Sequence, residues 1–207
     1  VDYFFLGGSL IVNDEMNYCI ETIKRHTNIP TILFPGSTMQ VNHKADALLF
    51  LSLISGRNPD LLIGKQVEAA PLLLNSPLEV LPTGYMLIDG GTSTAVNYMT
   101  NTLPIPRDKN QIAVATALAG SYLGLQMLYL EAGSGAKSPV TNDMISAVSH
   151  AVNIPLIVGG GIKTPEQCQE KIEAGADIIV VGNAIEKDPR LITDMSTSIH
   201  ATNTKVI

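Results

Sequence analysis

The stretch from residue 155 to residue 185, PLIVGGGIKTPEQCQEKIEAGADIIVVGNAI, decides the fold class. It reads as a short apolar strand, a glycine turn, a helix, a second apolar strand and a second turn. Thr164 and Pro165 form a typical helix start, because threonine is a good N-cap and proline suits the first helical position. The two turns lie about 20 residues apart, which suits a βα unit, so the stretch predicts parallel strands joined by helices.

A third turn of this kind follows a short strand in residues 126–136, QMLYLEAGSGA. Glycines in such turns let backbone N–H groups point at an anion, and in a (β/α)8 barrel the turns after the last strands form the common phosphate site. A single Gly-Ser-Gly turn would be explained equally well as a tight βα connection. Because three successive strands end in this way, we predict a phosphate site built from all three turns.

Strand and helix patterns alternate along the whole chain. We predict seven strands, at Tyr3–Leu6, Thr31–Phe34, Ala47–Leu51, Val80–Ile88, Gln126–Leu130, Leu156–Val158 and Ile178–Val181. We predict helices at Asp14–Arg25, Pro59–Leu74, Lys109–Leu123, Asn142–Ala151, Pro165–Ala174 and Pro189–Ile199. This regular alternation without a GxGxxG motif favours an α/β fold of the (β/α)8 TIM-like barrel type over a Rossmann fold. Seven strands are one too few and Val1 begins inside an apolar run, so we expect the first strand and helix to be missing from this sequence, which otherwise forms one barrel domain over residues 1–207.

The composition indicates which kinds of partner the protein can bind and in which cellular compartment it lies. The 207 residues carry a net charge of −6 without a run of Lys or Arg, which argues against nucleic acid as a partner. We predict no transmembrane segment, because no apolar run reaches the roughly 18 residues of a membrane span, although transient contact with a membrane surface stays open. The two cysteines lack CxxC spacing, which fits free thiols in a reducing cytoplasm.

Six segments together resemble the geranylgeranylglyceryl phosphate synthase family, in its longer-chain branch from archaea and some bacteria. They are LGGS (6–9), LFLSLISGRNPDLLIG (49–64), GYMLIDGGTSTAV (84–96), YLEAGSGA (129–136), VGGGI (158–162) and VGNAI (181–185). The resemblance implies an Mg²⁺-assisted prenyltransferase that joins geranylgeranyl diphosphate to sn-glycerol 1-phosphate and releases diphosphate. This reaction forms the first ether bond of archaeal-type lipids. The resemblance also implies a homo-oligomer.

The resemblance assigns roles to the three turns. By motif match, sn-glycerol 1-phosphate is held by Tyr129, Leu130, Glu131, Ala132, Gly133, Ser134, Gly135, Gly160, Gly161, Gly182 and Asn183. Glu131 and Tyr129 are the catalytic candidates. Glu131 could accept the proton of the glycerol hydroxyl, or hold that hydroxyl and stabilise nearby positive charge.

The expected Mg²⁺ site is incomplete in this sequence. In the family one metal oxygen comes from the serine or threonine of the LGGS-like turn, which corresponds to Ser9. The other ligand is an aspartate of a DPDK-like segment on the first strand, and this sequence has no such segment. We therefore expect the second ligand in the missing upstream part.

Two alternatives stay open at this point. A phosphosugar isomerase or synthase uses the same late-strand phosphate turns, but it usually pairs acid/base residues from different strands, and Glu131 stands alone in the late half. A non-catalytic phosphate-binding barrel would bind ligand without turnover. Asp89, before Gly90 and Gly91, could face the active-site mouth or act as a turn cap.

Overall fold

The computed structural model describes residues 1–9 and 15–203. The chain forms two compact units. Unit 1 consists of residues 1–52 and 58–83, and unit 2 consists of residues 53–57 and of the chain from residue 84 onward. The prediction of a single domain stays a prediction.

Unit 1 holds the first three strands and two helices. Its elements are β1 (Phe4–Gly8), α1 (Met16–His26), β2 (Thr31–Pro35), a 3₁₀ turn (Thr38–Gln40), β3 (Ala47–Leu53, of which residue 53 belongs to unit 2), a π-helical turn (Asp60–Gly64), α2 (Lys65–Leu73) and the start of β4 (Glu79–Leu87). Strand β1 pairs with β2 in parallel, with Phe4 opposite Thr31, and β2 pairs with β3 in parallel. The core of this unit contains Ile20, Leu33 and Leu48.

Asp46, directly before β3, fixes the start of the neighbouring strand β2. One of its carboxylate oxygens accepts hydrogen bonds from both the N–H and the hydroxyl of Thr31, each at 2.8 Å. The other oxygen accepts from Lys24 of α1 at 2.6 Å. One side chain therefore connects a helix with the first residues of two strands.

Unit 2 holds the rest of β4, three further strands and six helices among its described residues. They are α3 (Ala95–Thr100), α4 (Asn110–Tyr122), β5 (Met127–Glu131), α5 (Asn142–Ser149), β6 (Leu156–Gly159), α6 (Pro165–Glu173), β7 (Ile178–Val180), α7 (Asn183–Lys187) and α8 (Leu191–Asn203). Strands β5, β6 and β7 pair in parallel, with Glu131 opposite Gly159 and Gly159 opposite Val180. The predicted start of α6 is confirmed, because the Thr164 side chain accepts a hydrogen bond from the Gln167 N–H.

The large apolar core of unit 2 lies around β5 and β6. Leu128 and Leu130 of β5 and Leu156 and Val158 of β6 are at most 1% exposed and belong to this core. Asp177 repeats in this unit the role of Asp46, because its carboxylate accepts from the N–H of Leu156, the first residue of β6, at 2.7 Å.

Within each unit the strands follow one another in the sheet in chain order, β1-β2-β3 in unit 1 and β4-β5-β6-β7 in unit 2. The order does not reverse as it does in a doubly wound sheet, which supports the predicted fold class. All seven predicted strands are present in the described residues, with ends shifted by one or two residues in most cases. The described part of the chain contains no helix that is long and apolar enough to cross a membrane.

Several predicted helices differ from the observed ones. Asp14, the predicted first residue of α1, lies outside the described residues. The predicted helix over 59–74 is divided into a π-helical turn and α2. The π-helical turn leaves backbone carbonyls without helical partners, and two of them accept from side chains: Leu62 from the Ser52 hydroxyl at 2.8 Å and Leu61 from the Gln66 amide at 3.1 Å.

The short helices α3 and α7 were not predicted. Thr94 and Asn97 form a reciprocal capping box at the start of α3. This box has asparagine where glutamate or glutamine is usual, so the sequence signal was weak. Helix α7 has only five residues, which is too short for a hydrophobic period.

Candidate active site

Glu131 is the last residue of β5, and only 6% of it is exposed to solvent. Its Oε1 atom accepts a hydrogen bond from the backbone N–H of Gly133 at 2.6 Å. Gly133 has a φ of +98°, which lets the chain double back so that this N–H points at the carboxylate. The end of the strand and the first turn thus hold the Glu131 side chain in one orientation.

Two buried tyrosines lie beside this carboxylate. Tyr129 is on the same face of β5, two residues before Glu131, and its hydroxyl donates a hydrogen bond to the carboxylate. The ring of Tyr85, from β4, meets the ring of Tyr129 edge to face, with centroids 5.5 Å apart and planes at 74°. Both rings are less than a tenth exposed, so this wall of the site is apolar apart from the hydroxyl groups.

The surroundings make Glu131 a group that can exchange a proton near neutral pH. Burial raises the pKa of Glu131 from 4.5 to about 7, although the hydrogen bonds from the Gly133 N–H and the Tyr129 hydroxyl favour the charged form and lower it. A carboxylate with a pKa near the working pH suits general acid/base catalysis. Burial and the negative charge of Glu131 raise the pKa of Tyr85 and Tyr129 well above the usual range, so both tyrosines stay protonated.

The three predicted glycine turns come together around Glu131. The Ser134 hydroxyl donates to the Asn183 side-chain oxygen at 2.7 Å, which joins the first turn to the third. Gly160, in the second turn, has a φ of +82°, and a Cβ there would overlap the Glu131 carboxylate and approach the Gly133 nitrogen within 2.6 Å. The turns therefore lie close enough to bind one small anion together.

Not every predicted ligand residue can contribute in the same way. The Ala132 N–H donates to the Gly159 carbonyl at 3.0 Å and the Gly133 N–H is used by Glu131, so both are already occupied within the protein. Leu130 is fully buried in the apolar core, so only its backbone could meet a ligand. Gly135, with a φ of +75°, is exposed. A phosphate would therefore rely on the exposed or half-buried members, which are Ser134, Gly135, Gly160, Gly161, Gly182 and Asn183.

Ser9, the predicted metal ligand, lies in unit 1 directly after β1 and is half-buried. The turn before it is held by Gln40, whose amide nitrogen donates to the Gly8 carbonyl at 2.9 Å and whose Oε1 accepts from the Gly36 N–H at 3.1 Å. A serine hydroxyl is a hard oxygen donor of the kind that Mg²⁺ accepts. Within residues 1–9 and 15–203 no group of three or more His, Cys, Asp or Glu side chains could hold a metal ion.

Asp89 caps a turn, which is one of the two roles that the sequence suggested for it. Its Oδ1 accepts from the Gly91 N–H at 2.8 Å, which closes a tight turn after β4. The next segment of the chain lies against the first glycine turn, because a Cβ at Gly133 would overlap Thr94, the N-cap of α3.

Sequence reasoning missed Thr94, and it also missed the contact between Gly159 and Tyr129. The contacts of Thr94 with Gly133 and of Tyr129 with Gly159 do not follow from a motif, because each joins residues that are distant in sequence. The glycine identity at residue 159 was the one available signal.

Comparison with known proteins gives the same assignment as the motifs. A family model described as PcrB matches residues 1–202. A geranylgeranylglyceryl phosphate synthase from Spirosoma linguale is 53% identical over 207 residues, covering 100% of this chain and 83% of the relative. One from Korarchaeum cryptofilum is 44% identical over 186 residues, covering 90% and 76%.

A solved structure supports the fold and the family. The crystal structure of (S)-3-O-geranylgeranylglyceryl phosphate synthase from Thermoplasma acidophilum, in complex with its substrate sn-glycerol-1-phosphate, matches with a TM-score of 0.90 at 36% identity. The match covers 96% of this chain and 81% of that one, and together with the strand order it confirms the (β/α)8 barrel class. The chain therefore belongs to the PcrB family and is related to the geranylgeranylglyceryl phosphate synthases that its motifs resemble.

Proposed function

We propose that this protein is a prenyltransferase that joins geranylgeranyl diphosphate to sn-glycerol 1-phosphate with the help of Mg²⁺. The observation that carries the proposal is the position of Glu131, a buried carboxylate at the junction of three glycine turns, whose pKa is raised to about 7. The names of the relatives and the substrate in the related crystal structure support the same reaction.

In this reaction Glu131 takes the proton of the glycerol hydroxyl. The hydroxyl oxygen forms a bond to the first carbon of the prenyl chain, while the bond between that carbon and the diphosphate oxygen breaks. The electron pair of the broken bond leaves with diphosphate, and the proton stays on Glu131 until solvent removes it. The Gly133 N–H and the Tyr129 hydroxyl keep the carboxylate aimed while its charge changes.

The three turns would hold the phosphate group of the glycerol substrate. Backbone N–H groups of flexible glycine turns bind anions without any basic side chain, which suits a chain with a net charge of −6. The hydrogen bond between Ser134 and Asn183 would hold two of these turns at a fixed separation.

Ser9 would supply one of the oxygens that hold Mg²⁺. When bound, Mg²⁺ neutralises a diphosphate leaving group. Gln40 fixes the turn in which Ser9 lies, so the serine would present its hydroxyl from a rigid backbone.

We also propose, from the family resemblance, that the enzyme is a cytoplasmic homo-oligomer that meets its prenyl substrate by transient contact with a membrane surface. Sedimentation of the purified protein, and flotation with lipid vesicles that contain the prenyl diphosphate, would measure these two properties.

The decisive test is direct. The full-length polypeptide is incubated with Mg²⁺, geranylgeranyl diphosphate and either sn-glycerol 1-phosphate or its 3-phosphate enantiomer, and the ether product is sought by mass spectrometry. We expect ether from the 1-phosphate alone. No ether from either enantiomer, with binding of the 1-phosphate intact, would favour the non-catalytic barrel instead.

The isomerase alternative is weaker on structural grounds. It calls for a second acid/base residue from another strand, and the titratable group that β4 brings next to Glu131 is Tyr85. Burial raises the pKa of Tyr85 well above its usual range, so this tyrosine is a poor proton acceptor.

A further inference from the structure

Gly159, the last residue of β6, is a buried glycine whose backbone does not explain its identity. It lies opposite Glu131 in the parallel pair of β5 and β6. Its φ is outside the positive range that favours glycine, unlike that of its neighbours Gly160 and Gly161. Backbone conformation therefore does not explain why residue 159 is a glycine, and the space around it has to be considered.

The reason is the phenol group of Tyr129. A Cβ at Gly159 would overlap the Tyr129 hydroxyl oxygen, and it would lie 3.0 Å from Cε2 and 3.1 Å from Cζ of the same ring. The hydroxyl end of Tyr129 thus occupies the space that a side chain at residue 159 would take.

Tyr85, on β4, limits the movement of the Tyr129 ring from the other side of β5. Strand β5 lies between β4 and β6, so Tyr85 and Gly159 reach Tyr129 from the two flanking strands. The Tyr129 ring is 1% exposed and meets the Tyr85 ring edge to face at 5.5 Å. A tyrosine packed in this way has little freedom to turn away from a new methyl group.

The position of the hydroxyl matters because it donates to Glu131. Two titratable groups on the packed strands lie within the field of Glu131, because its negative charge helps to raise the pKa of Tyr129 on its own strand and of Tyr85 on β4. Strand β6, Leu156–Gly159, has no titratable side chain. The remaining hydrogen bond to the carboxylate comes from the Gly133 backbone.

We propose that Gly159 and Tyr85 are positioning residues, which fix the Tyr129 hydroxyl on Glu131 and thereby set the orientation of the carboxylate that accepts the substrate proton. That Glu131 accepts a substrate proton rests on the proposed function. The placement of the Tyr129 hydroxyl on Glu131 can be tested without turnover.

The first test follows the ionisation of Glu131 itself. Protein labelled with ¹³C at the glutamate side-chain carboxyl is titrated by NMR, and the Glu131 signal is assigned by its loss in Glu131→Gln. In Gly159→Ala the hydroxyl is displaced from the carboxylate, and a lost bond to the charged form raises the pKa, here by about one unit. In a Tyr129→Phe background, Gly159→Ala should add no further shift, because the donor is already absent.

A matched control separates this effect from simple crowding. Gly120→Ala places a Cβ 2.8 Å from Ile54 and 3.3 Å from Leu128, in the packing next to β5 but away from the Tyr129 hydroxyl. It should leave the Glu131 titration unchanged even if it lowers stability. An unchanged titration in folded Gly159→Ala would overturn the proposal.

Tyr85 provides the second variant in case Gly159→Ala does not fold. Tyr85→Leu removes the edge-to-face contact and should raise the pKa of Glu131, whereas Tyr85→Phe keeps the ring and should restore the wild-type titration. Equal titration of the leucine and phenylalanine variants would contradict the proposed role of Tyr85.

Activity gives a separate readout. Gly159→Ala should lower kcat for ether formation about tenfold or more, while KM for sn-glycerol 1-phosphate stays within about threefold. If the wild type forms no ether but the titration shifts as expected, the positioning role stands and the proposed function fails. If ether forms and the titration does not shift, the positioning role fails alone.

Discussion

Two strand-end turns in this molecule are each held by one buried side chain of the same length, but the two side chains differ in chemistry. After β1, in unit 1, the amide of Gln40 bridges the Gly8 carbonyl and the Gly36 N–H. After β5, in unit 2, the carboxylate of Glu131 accepts from the Gly133 N–H. Gln40 is 8% exposed and Glu131 is 6% exposed, so the burial is nearly the same.

The difference shows what each turn requires. A buried amide that both donates and accepts can satisfy two backbone groups without the cost of burying a charge. A buried carboxylate is less suited to holding a turn, because its charged form is destabilised by burial, which raises the pKa of Glu131 to about 7. An ionisable group at the β5 turn is therefore better explained by proton transfer than by structural support.

The largest expected effect is on turnover. Glu131→Gln keeps the shape of the side chain but removes the proton acceptor, so ether formation should fall by roughly 10² to 10⁴-fold. Affinity for sn-glycerol 1-phosphate, measured by calorimetry, should stay within about tenfold. The exposed Glu79→Gln, in the same assay, should behave as wild type. Loss of binding together with turnover would assign Glu131 a ligand role instead.

Removing the amide at the other turn should affect stability. Gln40→Ala leaves the Gly8 carbonyl and the Gly36 N–H without their partner, which should lower the free energy of unfolding by about 2 to 4 kcal/mol in urea titrations. Gln40→Glu would place a carboxylate against the Gly8 carbonyl oxygen. This variant should be less stable at pH 8 than at pH 5, and equal stability at both pH values would contradict the assigned contacts.

The pH dependence of stability should differ between the wild type and Glu131→Gln. The folded-state pKa of Glu131 is raised from 4.5 to about 7, so its contribution to stability is fully present below 4.5 and is lost as the pH rises through 7. The difference in unfolding free energy between wild type and variant should change by up to about 3 kcal/mol across this window. A difference that is constant from pH 4 to pH 8 would show that burial does not raise this pKa.

Smaller effects on stability are expected at the aspartate that each unit places beside the start of a strand. Asp46 and Asp177 each bind the first N–H of a neighbouring strand, but Asp46 also accepts from the Thr31 hydroxyl and from Lys24. Asp46→Asn should therefore cost about 1 to 2 kcal/mol of unfolding free energy and Asp177→Asn about 1 kcal/mol. The reverse order, in parallel urea titrations, would mean that the additional contacts of Asp46 do not contribute.

The fold followed from local signals to a large extent. The β5, β6 and β7 turns and the Thr164–Pro165 helix start are encoded by neighbouring residues, and the structure confirms them. The predicted 59–74 helix is divided, and the hydroxyl of Ser52, in β3, donates to a carbonyl of the π-helical turn. Ser52 and Leu62 lie in different elements, so the pattern within the predicted helix does not reveal this contact.

The site was predictable in its residues more than in its geometry. Glu131 stood out because it is a lone carboxylate at a strand end before a glycine turn, and Tyr129 entered by resemblance to the family. Their environment depends on Tyr85 and Gly159, from the two neighbouring strands. The pKa of Glu131 depends on burial, which is a property of the packed core and not of the motif.

The most direct test of the central claim, that Glu131 accepts the proton of the glycerol hydroxyl, is the pH dependence of kcat/KM for sn-glycerol 1-phosphate. We expect ether formation by the wild type to fall tenfold per pH unit below about 7, as Glu131 becomes protonated, and the residual rate of Glu131→Gln to lack this decline. A wild-type rate that stays constant between pH 5.5 and pH 8, or the same decline in the variant, would contradict the claim.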